Sequence, residues 1–175
     1  MIAARKGKYL FAALLLLIAM QAVAQEKMSA VQANPAFDKI KALSGEWEGT
    51  FNEAGQTFPS VVKIVIVSDG SAVMHDLAPG TSHEMITMFH PDGANLLATH
   101  YCARHNQPRM KLVPSSDPNV LLFEFMDGTN IGPGDAHMQS VKITIVDADH
   151  HYEDWSDLDH GKSTTAHFEF HRKKA

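Results

Sequence analysis

Twelve consecutive residues hold most of the chemical variety of this chain. Thr99-His100-Tyr101-Cys102-Ala103-Arg104-His105-Asn106-Gln107-Pro108-Arg109-Met110 brings together two imidazoles, a phenol, the only thiol, two carboxamides and two guanidinium groups. Arg presents a planar fork of donors that matches a carboxylate or phosphate. Asn106 and Gln107 each supply donors and an acceptor. A polar site for an anionic or carbonyl-bearing small molecule is one reading of this set. The plainer one is a hydrogen-bonded turn in which Arg109 pairs with a carboxylate such as Glu124.

The same residues admit other chemistries. Cys102 beside His100 or His137 is a possible thiolate pair, and Tyr101 with Arg109 has the groups to polarise a carbonyl. An enzyme acting on a small carbonyl or carboxylate substrate is therefore the alternative to a binding protein. His100 and Cys102, joined by His137, offer ligands suited to Zn or Cu, but their spacing matches no compact metal motif. Haem ligation by His100 or His137 is a variant of that idea, and the absence of Cys-x-x-Cys-His removes one covalent route. His150, His151 and His160 sit among Asp147, Asp149, Glu153, Asp154, Asp157 and Asp159, which reads as a solvated acidic edge. The Gly-rich run Asp127–Gly134 lacks a Lys and a following helix, so it is no phosphate loop; Asn130 within it either pins a rim or faces a pocket. No cofactor is specified by any of these patterns.

Short strands must position these groups. Asn34-Pro35 has the form of an N-cap followed by Pro at the first helical position, and Phe37, Ile40 and Leu43 recur on one face of a short helix that Gly45 ends. The helical period then disappears. Strands are predicted near 46–53, 60–67, 72–77, 83–90, 94–103, 107–113, 120–126, 137–146, 152–158 and 164–172. Pro59 marks the start of the second, Asp69-Gly70 a hairpin turn, and Pro91-Asp92-Gly93 another turn. Val141, Ile143 and Ile145 alternate with Lys142 and Thr144, as do Ala166, Phe168 and Phe170 with their polar neighbours. Nine or ten short strands joined by short links predict an all-β antiparallel meander barrel. A barrel of that size can enclose a cavity; a sandwich with a filled core is the alternative.

Several of these segments carry a resemblance. The helix followed by Leu43-Ser44-Gly45-Glu46-Trp47-Glu48-Gly49 resembles the opening of lipocalin-like (calycin) barrels, in which a Gly-x-Trp near the first strand plugs one end. Met85-Ile86-Thr87-Met88-Phe89-His90, Thr99-His100-Tyr101-Cys102, Asn106-Gln107-Pro108-Arg109-Met110, Phe123-Glu124-Phe125, Thr129-Asn130 and His137-Met138 together resemble a family of exported bacterial lipocalin-like barrel proteins without an assigned activity. The resemblance spans nearly the whole chain after residue 24. It implies a lipocalin-like barrel and no particular reaction.

The first residues have a separate role. Arg5, Lys6 and Lys8 precede the apolar run Leu10–Met20 and the small-x-small triplet Ala22-Val23-Ala24, the form of a secretory signal peptide over residues 1–24. A flexible lead over 25–34 and one barrel domain over 35–175 are expected to follow. Cleavage would move the formal charge from −5 to about −8, because three cations leave and 12 Lys and Arg then face 20 Asp and Glu. So acidic a chain is a poor general binder of nucleic acid or anionic membrane. The expectation is a periplasmic or secreted barrel whose partner is a small-molecule ligand, with no nucleic acid and no membrane after cleavage. The candidate lining is His100, Tyr101, Cys102, Asn106, Gln107, Arg109, Asn130 and His137. On a strand, His100 and Cys102 share one face and Tyr101 takes the other, so these cannot all point inward.

Overall fold

The structure, a computed structural model, describes residues 33–174. The expected signal peptide and most of the expected lead lie outside the described residues. Helix α1 (Pro35–Ala42) starts where the sequence puts it: the Asn34 side chain accepts a 3.0 Å hydrogen bond from Phe37 N, and Pro35 follows as the first helical residue. This satisfies one of the amide donors that a helix start leaves free. Phe37, Ile40 and Leu43 are all buried.

Ten strands follow: β1 (Gly45–Glu53), β2 (Gln56–Val67), β3 (Ala72–Leu77), β4 (Met85–Asp92), β5 (Asn95–Tyr101), β6 (Gln107–Val113), β7 (Val120–Thr129), β8 (His137–Ile145), β9 (His150–Asp159) and β10 (Lys162–Arg172). Each pairs antiparallel with its neighbours in sequence, and β1 pairs with β10, so the meander closes on itself. Closure leaves no free sheet edge. The filled sandwich is thereby set aside in favour of the barrel.

Three prolines and glycines behave differently from the sequence expectation. Pro59 lies within β2, opposite Thr50, because β2 begins at Gln56. There β2 overhangs β3, paired with β1 on one side while its pairing with β3 starts only at Val62, so a missing N–H is tolerated. Pro91 and Asp92 continue β4 to its end, paired with Leu96 and Asn95, which leaves a tighter turn at Gly93. Gly128 lies in the last part of β7, beyond a register shift in its pairing with β6.

Alternation along the strands decides what fills the barrel. Trp47, Val62, Val73, Phe89, Leu96, Met110, Phe123, Val141, Ile143 and Phe170 point inward and are nearly inaccessible. They join the helix residues in one continuous core. α1 closes one end. Trp47 Nε1 donates to Leu43 O at 2.8 Å, Asn34 Nδ2 donates to Asn95 O at 3.1 Å, and Lys39 Nζ donates to Pro118 O. The opposite end, the mouth, is ringed by the β1–β2, β3–β4, β5–β6, β7–β8 and β9–β10 links.

Candidate binding site

Alternation carries a set of polar side chains inward with the core. On β3 the inward positions are Val73, His75 and Leu77; on β5 they are Leu96, Ala98 and His100; on β9 they are His151, Glu153 and Trp155. Thr87 comes from β4, directly opposite His100 in the ladder. His75, Thr87, His100, His151 and Glu153 are each at most 1% exposed.

Glu153 is the centre of one group. Its Oε1 accepts from His75 Nε2 and His151 Nε2, both at 3.0 Å, and its Oε2 accepts from Trp155 Nε1 at 2.7 Å. Burial alone would raise this carboxyl; the His75 charge and the hydrogen bonds from His151 and His75 more than reverse that and hold it well below the usual carboxylate range. It is thus an ionised group inside a barrel, a placement that stands only because it is paired and hydrogen-bonded. The His151 ring also meets Trp47 edge-on at 4.3 Å, which ties the polar group to the plugged end.

His100 is the second centre. Burial, with a smaller contribution from the His75 charge, pushes its imidazole down to about 3, so it is neutral at physiological pH. Its Nδ1 lies 2.8 Å from Thr87 Oγ1, and its ring stands 5.2 Å from that of Trp155. Among the described residues its Nε2 has no hydrogen-bond partner, and neither do His75 Nδ1 and His151 Nδ1. Buried polar atoms without partners are rare in folded proteins, and three imidazole nitrogens of this kind occur in one barrel.

Thr87 is fully buried, and its hydroxyl carries one proton that must be donated to something. His100 Nδ1 is its partner. If Nδ1 carried the proton instead, the Thr87 hydroxyl hydrogen would be left buried and unpaired. Donation from the Thr87 hydroxyl to Nδ1 satisfies that buried proton, and in this arrangement His100 Nε2 bears the N–H.

The residues singled out from the sequence divide into three groups. His100 is in the interior. Tyr101 and Arg109 lie on the outer wall: Tyr101 is half exposed, and Arg109 Nη2 donates to Asp127 Oδ2 at 2.6 Å, so its carboxylate partner is Asp127 rather than Glu124. The rest collect at the mouth. Cys102 is a half-buried free thiol; Asn106 is buried and donates from Nδ2 to Ala136 O at 2.8 Å; Gln107 opens β6 opposite Thr129; Asn130 Nδ2 donates to His105 O at 3.3 Å. His137 Nδ1 lies 2.8 Å from Asp135 O, with its ring 4.5 Å from Phe125. Among the described residues, no three His, Cys, Asp or Glu are placed to share a metal ion.

The solvated acidic edge needs correction. His150, Asp147 and His160 are exposed, but His151 and Glu153 are completely buried. The signal was present in the sequence. Trp155 reads as core, and positions two and four residues before it on the same strand must share its face. His75, between Val73 and Leu77, and Thr87, between Met85 and Phe89, were legible by the same parity. A cleft of about 280 Å³ lies elsewhere, open to solvent against the outer face of β1, β9 and β10 and lined by Thr50, His150, Tyr152 and Glu169 among others. It does not reach the interior group.

Comparison with known proteins supports the fold. No family model matches the chain, and no curated protein matches it. Among solved structures it is similar to Rv2717c from M. tuberculosis, with a TM-score of 0.57 and 14% identity over 82% of this chain and 100% of that one. It is also similar to a protein of unknown function from the DUF3598 family of Nostoc punctiforme PCC 73102, with a TM-score of 0.55 and 12% identity over 77% of this chain and 48% of that one. The chain therefore spans about half the length of the second protein. These likenesses show the fold alone, an antiparallel meander barrel of ten strands with one short helix at its start.

Proposed function

We propose that this barrel binds a small, uncharged, carbonyl-bearing molecule, with His100 Nε2–H as the donor that recognises it. The observation that carries the reading is the state of His100: neutral, buried, fixed by Thr87 through one nitrogen and without a partner among the described residues at the other. A buried unpaired donor favours a ligand acceptor, because leaving such a group unmade costs about 1–3 kcal/mol. His100 is neutral and offers a single N–H rather than a charged fork, so the carbonyl branch of the sequence expectation is preferred over the anionic one. Ten strands give a wider interior than the eight that suffice to hold one small ligand in other barrels. Tyr101 and Arg109, on the outer wall, have no part in this reading.

An enzyme built on the same residues is less well supported. A His held neutral down to about 3 is a poor general base near pH 7. A metal or haem on His100 Nε2 needs a lone pair there, which requires Nδ1 to carry the proton and donate to Thr87. We also propose export to the periplasm or outside the cell, on the strength of the basic residues, apolar run and Ala22-Val23-Ala24 triplet, and of the resemblance of the Thr-His-Tyr-Cys and Asn-Gln-Pro-Arg-Met segments to a family of exported barrels.

Tryptophan fluorescence tests the binding reading, because Trp155 adjoins His100. Titration with a set of small ketones, amides and carboxylates is expected to quench or shift emission for the neutral carbonyl compounds and not for the carboxylates. His100→Phe should weaken that binding roughly tenfold, the value of one hydrogen bond of about 1.4 kcal/mol. Equal affinity in the variant, or preference for carboxylates, would remove His100 from the site. A shifted Soret band on haem titration, lost in His100→Phe, would show that Nε2 offers its lone pair instead.

A further inference from the structure

The polar motif that stands out in the sequence contributes only His100 to the interior. The rest of it forms the turn between β5 and β6, and that turn is tied down on two sides of the mouth. Cys102 N donates to Asn106 O at 3.1 Å and His105 N to Cys102 O at 3.0 Å, which closes the turn on itself. Asn106 Nδ2 to Ala136 O and Asn130 Nδ2 to His105 O then fasten it to the β7–β8 link. Asn106 is 4% exposed although it belongs to a turn, so this corner of the turn is packed onto the barrel end while Ala103, Arg104 and His105 stay exposed.

The third tie crosses the mouth. Arg104 Nη2 donates to Asp157 Oδ2 at 3.0 Å, and its Nη1 lies 4.0 Å from Asp159 Oδ2. In the ring of ten strands β9 is four places from β5 by one route and six by the other, so the bridge joins nearly opposite walls. Asp157 shares the parity of Glu153 and Trp155 on β9 and is the next inward position toward the mouth. The side chain of Arg104 is half exposed and that of Asp157 only 17% exposed. A cation thus reaches from one wall to a largely covered acid on the other, on the mouth side of Trp155 and His100.

We propose that the Cys102–Asn106 turn is a strap across the mouth and that the Arg104–Asp157 ion pair is the latch that sets how often it opens. It rests on the binding reading for what passes through. The latch is weak by nature: an ion pair with one partner half exposed is worth little and is screened by salt. It can therefore open and reclose without disturbing the ladder that holds His100.

Lifetime-resolved acrylamide quenching of tryptophan measures access to the interior without any natural ligand, with the Trp155 component assigned from Trp155→Phe. Arg104→Ala is expected to raise the quenching rate of Trp155 roughly 1.5- to 5-fold, the range of a surface ion pair. Molar salt should raise it in the unmodified protein and leave Arg104→Ala unchanged. Arg109→Ala, which breaks a comparable pair on the outer wall, should have no effect. Wild-type quenching in Arg104→Ala at low salt, or an equal rise in Arg109→Ala, would overturn the latch. Faster quenching in a protein that binds no carbonyl compound would leave the strap standing and remove the proposed function; His100-dependent binding with unaltered quenching would do the reverse.

Discussion

At the scale of single residues, His100 and Glu153 are opposite solutions to burial. Glu153 keeps its charge because two imidazoles and an indole N–H surround it. His100 gives its charge up because it is buried, with the His75 charge adding to the effect, and its partner among the described residues is a hydroxyl. The second solution has a consequence for stability. The folded state holds His100 neutral down to about 3, whereas an unfolded chain protonates it near 6.5. Between those values the unfolded state binds more protons, so stability falls as pH drops and is fully present only above the unfolded value. One such group contributes a slope of up to about 1.4 kcal/mol per pH unit. Urea unfolding of wild type and His100→Asn between pH 6.5 and 4 should therefore give two curves whose separation shrinks toward acid by about that amount per unit. Parallel curves would mean that His100 is not held neutral. Neither residue could be assigned its state from sequence. Strand parity tells that His100, His75 and Glu153 face inward, but which imidazole meets the carboxylate and which meets Thr87 depends on how β3, β4, β5 and β9 face one another across the barrel.

At the scale of elements, most of the architecture was written locally. The cap at Asn34-Pro35, the helix face of Phe37, Ile40 and Leu43, and the alternation along β8 and β10 each act over a few residues and were readable. What was not readable is where strands continue past a residue that ordinarily stops them, as at Pro59 and Pro91. Those continuations are imposed by the neighbouring strand. The seam between β1 and β10 is the strongest case. Gly49 sits opposite Phe170, and a methyl group on it would fall 1.8 Å from Glu169 O and 3.1 Å from Phe170 Cα. Both are backbone atoms, so relief requires the strands to part. Gly49→Ala should destabilise the barrel by more than about 3 kcal/mol, at the severe end of overpacking. Gly55→Ala, at a turn with φ +80° and open space around it, should lose only the roughly 1–2 kcal/mol of a left-handed residue. Chemical denaturation of the two variants side by side decides the matter: equal stabilities would show that the first and last strands are not held at this separation.

At the scale of the whole molecule, a closed meander has to bring its two chain ends together, and ladder hydrogen bonds are not the only means used. Arg172, at the end of β10, lies over the Trp47 ring with its guanidinium carbon 4.2 Å from the ring centre. The same group donates to Ser44 O at 2.7 Å, to Ala42 O at 3.2 Å and, through Nε, to Ala148 O at 2.9 Å. Two of those carbonyls belong to the end of α1 and the residues just after it, where a helix leaves acceptors without partners and a cation is favoured. One side chain thus joins the last strand, the first strand, the helix that plugs the barrel and the β8–β9 turn. Gly45 is part of the same arrangement: at φ +143° it passes so close that an added Cβ would lie 2.6 Å from Arg172 Nη1. Arg172→Ala removes a cation–π contact and charge-assisted hydrogen bonds at once, an expected loss of about 2–4 kcal/mol. For a domain of this size that lowers Tm by roughly 8–15 °C. Arg172→Lys keeps the positive charge but not the planar fork, so it should fall between wild type and Arg172→Ala. Thermal unfolding of the three proteins separates a fork that ties four elements from a charge that merely neutralises the helix end: if Lys restores the full Tm, the charge is sufficient, and if Ala leaves it unchanged, the plugged end is held by Trp47 and the α1 side chains alone.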